Sequence, residues 1–146
     1  MGTPRGSTQP SRAVGPPTAA EAAALLPLLA AALSAGDVEA ALSLYAPGAV
    51  VVPWHLPAMG GDGLRDLLTS LAALKVPLHL ASSTATGDER VAVVQGRWSM
   101  SDARGADSLR LVAEVMAIAR RDRSSPEPVW HLVLERWTTP DGAPPR

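Results

Sequence analysis

Apolar residues recur every three to four positions in the first half of the chain and every second position in the second half. Leu25, Leu28, Leu29, Ala32 and Leu33 share one face at helical spacing, which predicts a helix over 18–35. Thr18-Ala19-Ala20-Glu21 has the form of a capping box at its start, and Pro27 should kink the helix or mark a local break. After Gly36-Asp37, the positions of Val38, Ala41, Leu42 and Tyr45 predict a second helix over 38–45. Residues 49–52 form a short, continuously apolar strand. Leu64, Leu67, Leu68, Leu71 and Leu74 predict a third helix, opened by the glycines of 60–63. Beyond it the period falls to two, giving strands at 76–86, 90–101, 107–121 and 128–139. Short polar connections between them favour antiparallel hairpins. Helices first and strands after is an α+β order.

One strand is apolar on both faces. Over 109–119, Leu109, Leu111, Ala113, Val115, Ala117 and Ala119 alternate with Arg110, Val112, Glu114, Met116, Ile118 and Arg120. Both faces therefore call for cover. The chain's own helices cover one. A second copy in a symmetric dimer, or else a loop or the N-terminal tail, covers the other.

Composition narrows the function classes. At 146 residues with 47% hydrophobic and 18% charged, the chain suits one globular domain rather than a disordered segment. The Pro-, Gly- and Ser-rich residues 1–17 and the last residues, 141–146, read as flexible tails flanking a domain at 18–140. A net charge of -1 with intermixed signs argues against a nucleic-acid partner. No cysteine is present, and three histidines without an H-x-x-x-H pair argue against a metal site. Arg5 and Arg12 ahead of the apolar run to Ala35 have the outline of a secretory signal. The capping box and Glu21 favour instead an amphipathic helix of a cytoplasmic protein. No run is long enough to span a membrane.

Three stretches in succession carry a resemblance: "SAGDVEAALSLYAPGAVVVP" (34–53), "TATGDERVAVVQGRWSM" (84–100) and "VWHLVLERWTTP" (129–140). Over about 18–140 the chain resembles the NTF2-like superfamily, specifically its SnoaL-like bacterial branch. The GD-x6-LYA block and the closing Trp-x-Leu-x4-Trp strand are the most specific parts. The resemblance implies N-terminal helices packed on a strongly curved, mostly antiparallel sheet that forms a cone with a pocket at its open end. It also implies a homodimer through the convex face. Activity is not implied, because members include isomerases, cyclases, epoxide hydrolases, dehydratases and proteins without chemistry.

The site must then be argued from residues. Aligned through "LYAPGAVVVP", the general base of the ketosteroid isomerases falls on Pro53 or its neighbour, and proline carries no proton. The close Arg-x-Asp pairing of limonene-type epoxide hydrolases is absent, although Arg110, Glu114, Glu135 and Arg136 lie on the last strands. Glu114, between Val112 and Met116 on one face, is a candidate acid or base if buried, or a salt-bridged residue if paired with an Arg such as Arg97. His55, in a loop beside Trp54, is the second proton-handling candidate. Trp54, Met59, Trp98, Met100, Met116 and Trp130 are candidate linings for an apolar ligand. Tyr45 is expected to pack a helix against the sheet, His131 to face the convex side, and Glu135 to sit near the cone mouth or dimer interface.

Two functions follow. One is a binder of a hydrophobic, polyketide- or polycycle-like molecule in secondary metabolism, with cofactor-independent cyclisation, isomerisation or dehydration by Glu114 and His55. The other is a non-catalytic dimeric binding or accessory module.

Overall fold

A computed structural model describes residues 19–101, 110–122 and 129–140. The expectations for both tails, for Thr18 and for the hairpin connections at 102–109 and 123–128 lie outside the described residues.

The chain begins with a 3-10 segment, Ala19–Ala24, followed by α1 (Leu25–Ser34), α2 (Val38–Leu42), β1 (Tyr45–Pro53), β2 (Met59–Gly60) and α3 (Asp62–Ala73). Strands β3 (Leu78–Gly87), β4 (Val91–Ser101), β5 (Arg110–Asp122) and β6 (Val129–Thr138) complete it. The predicted first helix is thus split. Proline has no N–H and its ring would collide with the carbonyl four residues back, so an α-helix through Pro27 cannot extend upstream of its own first turn. The break falls at Leu25 and not at Pro27 itself, because Pro27 is tolerated among residues whose N–H groups lack helical partners. Gly36, at φ 74°, ends α1, and the Asp37 carboxylate accepts from the Ala40 N–H at 3.0 Å to start α2.

The strands form one curled sheet in the order β2-β1-β6-β5-β4-β3. All neighbours are antiparallel except β1 and β6, which run parallel. The inner face carries Val94, Trp98 and Met100 of β4, Ala113 to Ala119 at every second position of β5, and Trp130 and Leu132 of β6. Leu26, Leu29, Leu33, Leu64, Leu68 and Leu71 pack on it from the helices and fill the single core. The fold class and the two-faced alternation of β5 are as the sequence indicates. No helix among the described residues is long and apolar enough to cross a membrane.

Two irregularities decide which side chains reach the interior. In β6, Ile118 faces Leu134 while the next residue of β5, Ala119, faces Leu132, so Val133 is an extra residue. Upstream of this bulge Trp130 and Leu132 point inward; downstream it is Glu135 and Trp137 that are buried. In β1, the five steps from Tyr45 to Val50 are matched by only two steps of β6, and Pro47-Gly48 bows out to solvent with Gly48 at φ 79°. Tyr45, expected at the end of a helix, is therefore the buried first residue of β1.

Gly96 lies between Val94 and Trp98 on the inner face, where a Cβ would stand 2.6 Å from the Ser82 carbonyl oxygen and 2.7 Å from Leu26 Cδ1. This close approach sets α1 on the sheet. Gly96→Ala should lower stability by about 1–3 kcal/mol through overpacking. Urea unfolding would show a lower midpoint at unchanged slope; an unchanged midpoint would mean that α1 is not held at Gly96.

Candidate functional site

The turn after β1 separates two adjacent candidates. The Leu56 N–H donates to the Pro53 carbonyl at 2.8 Å, and Trp54 between them adopts φ 45°, a left-handed backbone that costs a residue with a side chain about 1–2 kcal/mol. That conformation carries the Trp54 ring inward while His55 is left exposed. Trp54 is held by its N–H donating to the Trp137 carbonyl at 2.9 Å and its indole N–H donating to the Val112 carbonyl at 3.4 Å. Its ring meets those of Trp98 and Trp137 edge-to-face, with centroids 5.7 and 5.4 Å away, and the latter two are 5.3 Å apart at 86°. Three of the four tryptophans form one cluster.

Beside this cluster is Glu135, 1% exposed, the one charged residue buried in the core among the described residues. The Tyr45 hydroxyl donates a short hydrogen bond to Glu135 Oε1. Glu135 Oε2 and the indole nitrogens of Trp137 and Trp130 are buried without a partner in hydrogen-bond geometry, although the Trp137 indole is near enough to Glu135 to influence its charge. Glu135 and Trp137 border a cavity of about 10 Å³, room for roughly one water molecule, together with Leu26, Leu29, Leu78, Leu80 and Trp98. Burial is the strongest influence on Glu135 and pushes its pKa up; the Tyr45 hydroxyl and the neighbouring Trp137 indole favour the anion and only moderate the rise. Tyr45 is pushed well above the ordinary phenol value by burial first, then by the adjacent Glu135.

Glu114, Met116 and His55 are not brought into this interior. Glu114 is on the outer face of β5, opposite Arg97, whose guanidinium meets its carboxylate at 3.3 Å with both side chains about half exposed. The salt-bridged alternative therefore describes Glu114, because residues of its parity face away from the helices. Met116, 54% exposed, shares that face. Met100 and Trp130 are buried core residues outside the cavity lining, and Met59 is half-buried in β2. Among the candidate linings Trp98 borders the cavity and Trp54 backs it. Glu135, expected near the cone mouth or the dimer interface, and Tyr45, expected to pack a helix, form the polar centre instead, because the β6 bulge turns Glu135 to the inner face with Trp137. Among the described residues no cluster of His, Cys, Asp and Glu could hold a metal.

Solved structures resemble this architecture. An NTF2-like protein with a cystatin-like fold from Novosphingobium aromaticivorans superimposes with a TM-score of 0.68 at 16% identity, over 82% of this chain and 80% of the other. The fold is NTF2-like. A putative calcium/calmodulin dependent protein kinase II association domain from Xanthomonas campestris also shares the NTF2-like arrangement (TM-score 0.66, 19% identity, 82% and 85% coverage). So does the epoxide hydrolase/cyclase-like enzyme SalBIII, which has a role in pyran ring formation in the polyether salinomycin (0.58, 13%, 81% and 89%). The sequence matches no protein-family model and no curated protein. At these identities the likeness establishes the fold alone.

An acid whose folded pKa is raised contributes stability that is complete below its unfolded value and lost as pH rises through the folded value. Stability should therefore fall as pH climbs from the ordinary glutamate value of 4.5 toward that of folded Glu135. Glu135→Gln should remove this part of the decline, at most about 1.4 kcal/mol per pH unit. Urea unfolding of both proteins across pH measures the difference; parallel profiles would contradict a buried, proton-retaining Glu135.

Proposed function

We propose that the cone interior binds a small, mainly apolar molecule, with Glu135 as the group that exchanges a proton with it and Tyr45 as the residue that orients Glu135. The observation that carries this reading is the unbonded Glu135 Oε2 on the cavity wall. A buried carboxyl oxygen without a partner is costly in a finished core, and a ligand's polar end relieves that cost. The protonated carboxyl can donate at Oε2, and the anion can accept there. This is acid–base chemistry of the kind that cyclisation, isomerisation and dehydration need. Glu135 thus takes the role that the sequence offered to Glu114 and His55. The SnoaL-like resemblance and the cyclase-like neighbour SalBIII support a setting in secondary metabolism. Typical ligand pockets measure about 300–1,000 Å³, so a polycyclic ligand would require the leucines around the present cavity to part; a smaller ligand requires less.

A second copy of the chain is proposed to cover the outer face. Val93, Ile118 and Leu134 stand opposite one another across β4, β5 and β6, with Val50 of β1 next in the row. Val93, Ile118, Leu134 and the adjacent Met116 are 38–54% exposed. Such a continuous apolar row suits a symmetric interface bordered by Arg97, Arg120 and Arg136. The small cavity favours one competing account, the non-catalytic dimeric module, and the similarity to an association domain is in keeping with it.

Native mass spectrometry after incubation with cell extract tests both proposals at once. The expected species is a dimer carrying a small-molecule mass that Glu135→Gln no longer retains, while Ile118→Glu yields monomers. A dimer with no added mass would favour the non-catalytic module, and wild-type monomers would refute the outer-face interface.

A further inference from the structure

The charge and donor pattern of the cavity discriminates among ligands. Its lining is leucine, alanine, Trp98, Trp137 and Glu135, with no Lys, Arg or His among the described residues that form it. The basic side chain next in sequence, Arg136, is exposed on the other face, and Arg97 is engaged by Glu114 outside. An anionic ligand would bury a negative charge in a lining that has no basic group to offset it. A hydrocarbon would fill space and leave Oε2 orphaned. A neutral hydroxyl would satisfy Oε2 but supply no counter-charge.

An ammonium group does both. Its N–H donates a charge-assisted hydrogen bond to Oε2. Tryptophan is the side chain whose ring face attracts a cation most strongly, and two of the cavity walls are indoles backed by a third. We propose that the cavity takes a small aliphatic amine, bound as its ammonium ion, with Glu135 as counter-ion and Trp98 and Trp137 as aromatic walls. This inference rests on the interior being a ligand site, as proposed above. A cavity of about 10 Å³ takes a group of the size of the ammonium head alone, so the apolar body is kept short and is admitted by displacement of the α1 leucines Leu26, Leu29 and Leu33.

A proton balance follows. The protonated Glu135 of the empty protein loses its proton to solvent when the alkylammonium binds, leaving a carboxylate–ammonium pair. Among the described residues, the other titratable group set against Glu135 is Tyr45 from β1. The remaining lining from α1, α3, β3 and β4 consists of leucines, Ala30 and Trp98, none of which titrates, and β5 offers Ala117 opposite. Amine affinity should therefore rise about tenfold per pH unit while Glu135 is still protonated in the free protein.

The test uses the full chain labelled with 15N, whose four indole N–H groups give a small, separable set of NMR signals, and three isosteric probes: isobutylamine, isobutanol and isobutyrate. Isobutylamine is expected to shift the Trp98 and Trp137 indole signals saturably, isobutanol to bind about tenfold more weakly or worse, and isobutyrate to leave them unmoved. Glu135→Gln should abolish the preference for the amine while the dispersed indole signals show the fold intact. Trp98→Leu should weaken amine binding more than alcohol binding. Alcohol binding as tight as amine binding, or amine binding indifferent to Glu135→Gln, would overturn the amine assignment while leaving a ligand site in place. No response to any probe also overturns it, and together with the absence of a retained mass in native mass spectrometry removes the ligand site itself.

Discussion

The hydrogen bond from Tyr45 to Glu135 holds a carboxyl group in an interior otherwise made of leucine, alanine and tryptophan, and two backbone irregularities exist where that bond requires them. Without Val133 as an extra residue, Glu135 would alternate to solvent with Arg136 indoors. Without the bowed Pro47-Gly48 segment, the five steps from Tyr45 to Val50 would run five residues along β6 instead of two and carry Tyr45 away from Glu135. Each strand thus departs from its regular register, and the departures meet at one buried polar pair. A lone carboxylate would be strongly disfavoured at this depth, whereas a hydrogen-bonded, proton-retaining acid is tolerable.

The surrounding tryptophans give the pair its environment. Trp137 shares the bulged end of β6 with Glu135, Trp98 comes from β4, and Trp54 is folded in by a left-handed residue at the end of β1. Strain at Trp54 is offset by two hydrogen bonds and two aromatic contacts, so the corner is both wall and clamp. The outer surface follows different rules: Arg97 and Glu114 neutralise each other beside an apolar row that a second chain would cover. The proposed ligand site and the proposed interface thus lie on opposite faces of the same strands.

Elements whose signal is periodic were legible in the sequence. The leucines of α1 and α3, the alternation of β5 and the Gly36-Asp37 stop-and-start all describe what the chain does, and the resemblance supplied the α+β cone. The centre of the site was not legible, because parity counting assumes an unbroken strand. One extra residue reverses every side chain beyond it. A different assumption extended α2 to Tyr45, since four apolar positions at helical spacing look alike whether or not Pro47-Gly48 pulls the last of them into a strand. Glu114 stood out because its neighbours on the same face of the strand, Val112, Met116 and Ile118, are apolar. Those neighbours lie on the outer face, where Arg97 was waiting across the ladder.

The account stands on Glu135 being inside and keeping its proton beyond the pH at which an ordinary glutamate, at 4.5, gives it up. A pH titration of the glutamate side-chain carboxyl carbons by 13C NMR measures this directly, with Glu135 assigned through its loss in Glu135→Gln. The predicted result is a Glu135 signal that titrates above the ordinary range and well after that of Glu39, whose pairing with Arg65 holds it low. A Glu135 signal that titrates at or below the ordinary value would contradict the buried pair and the site built on it.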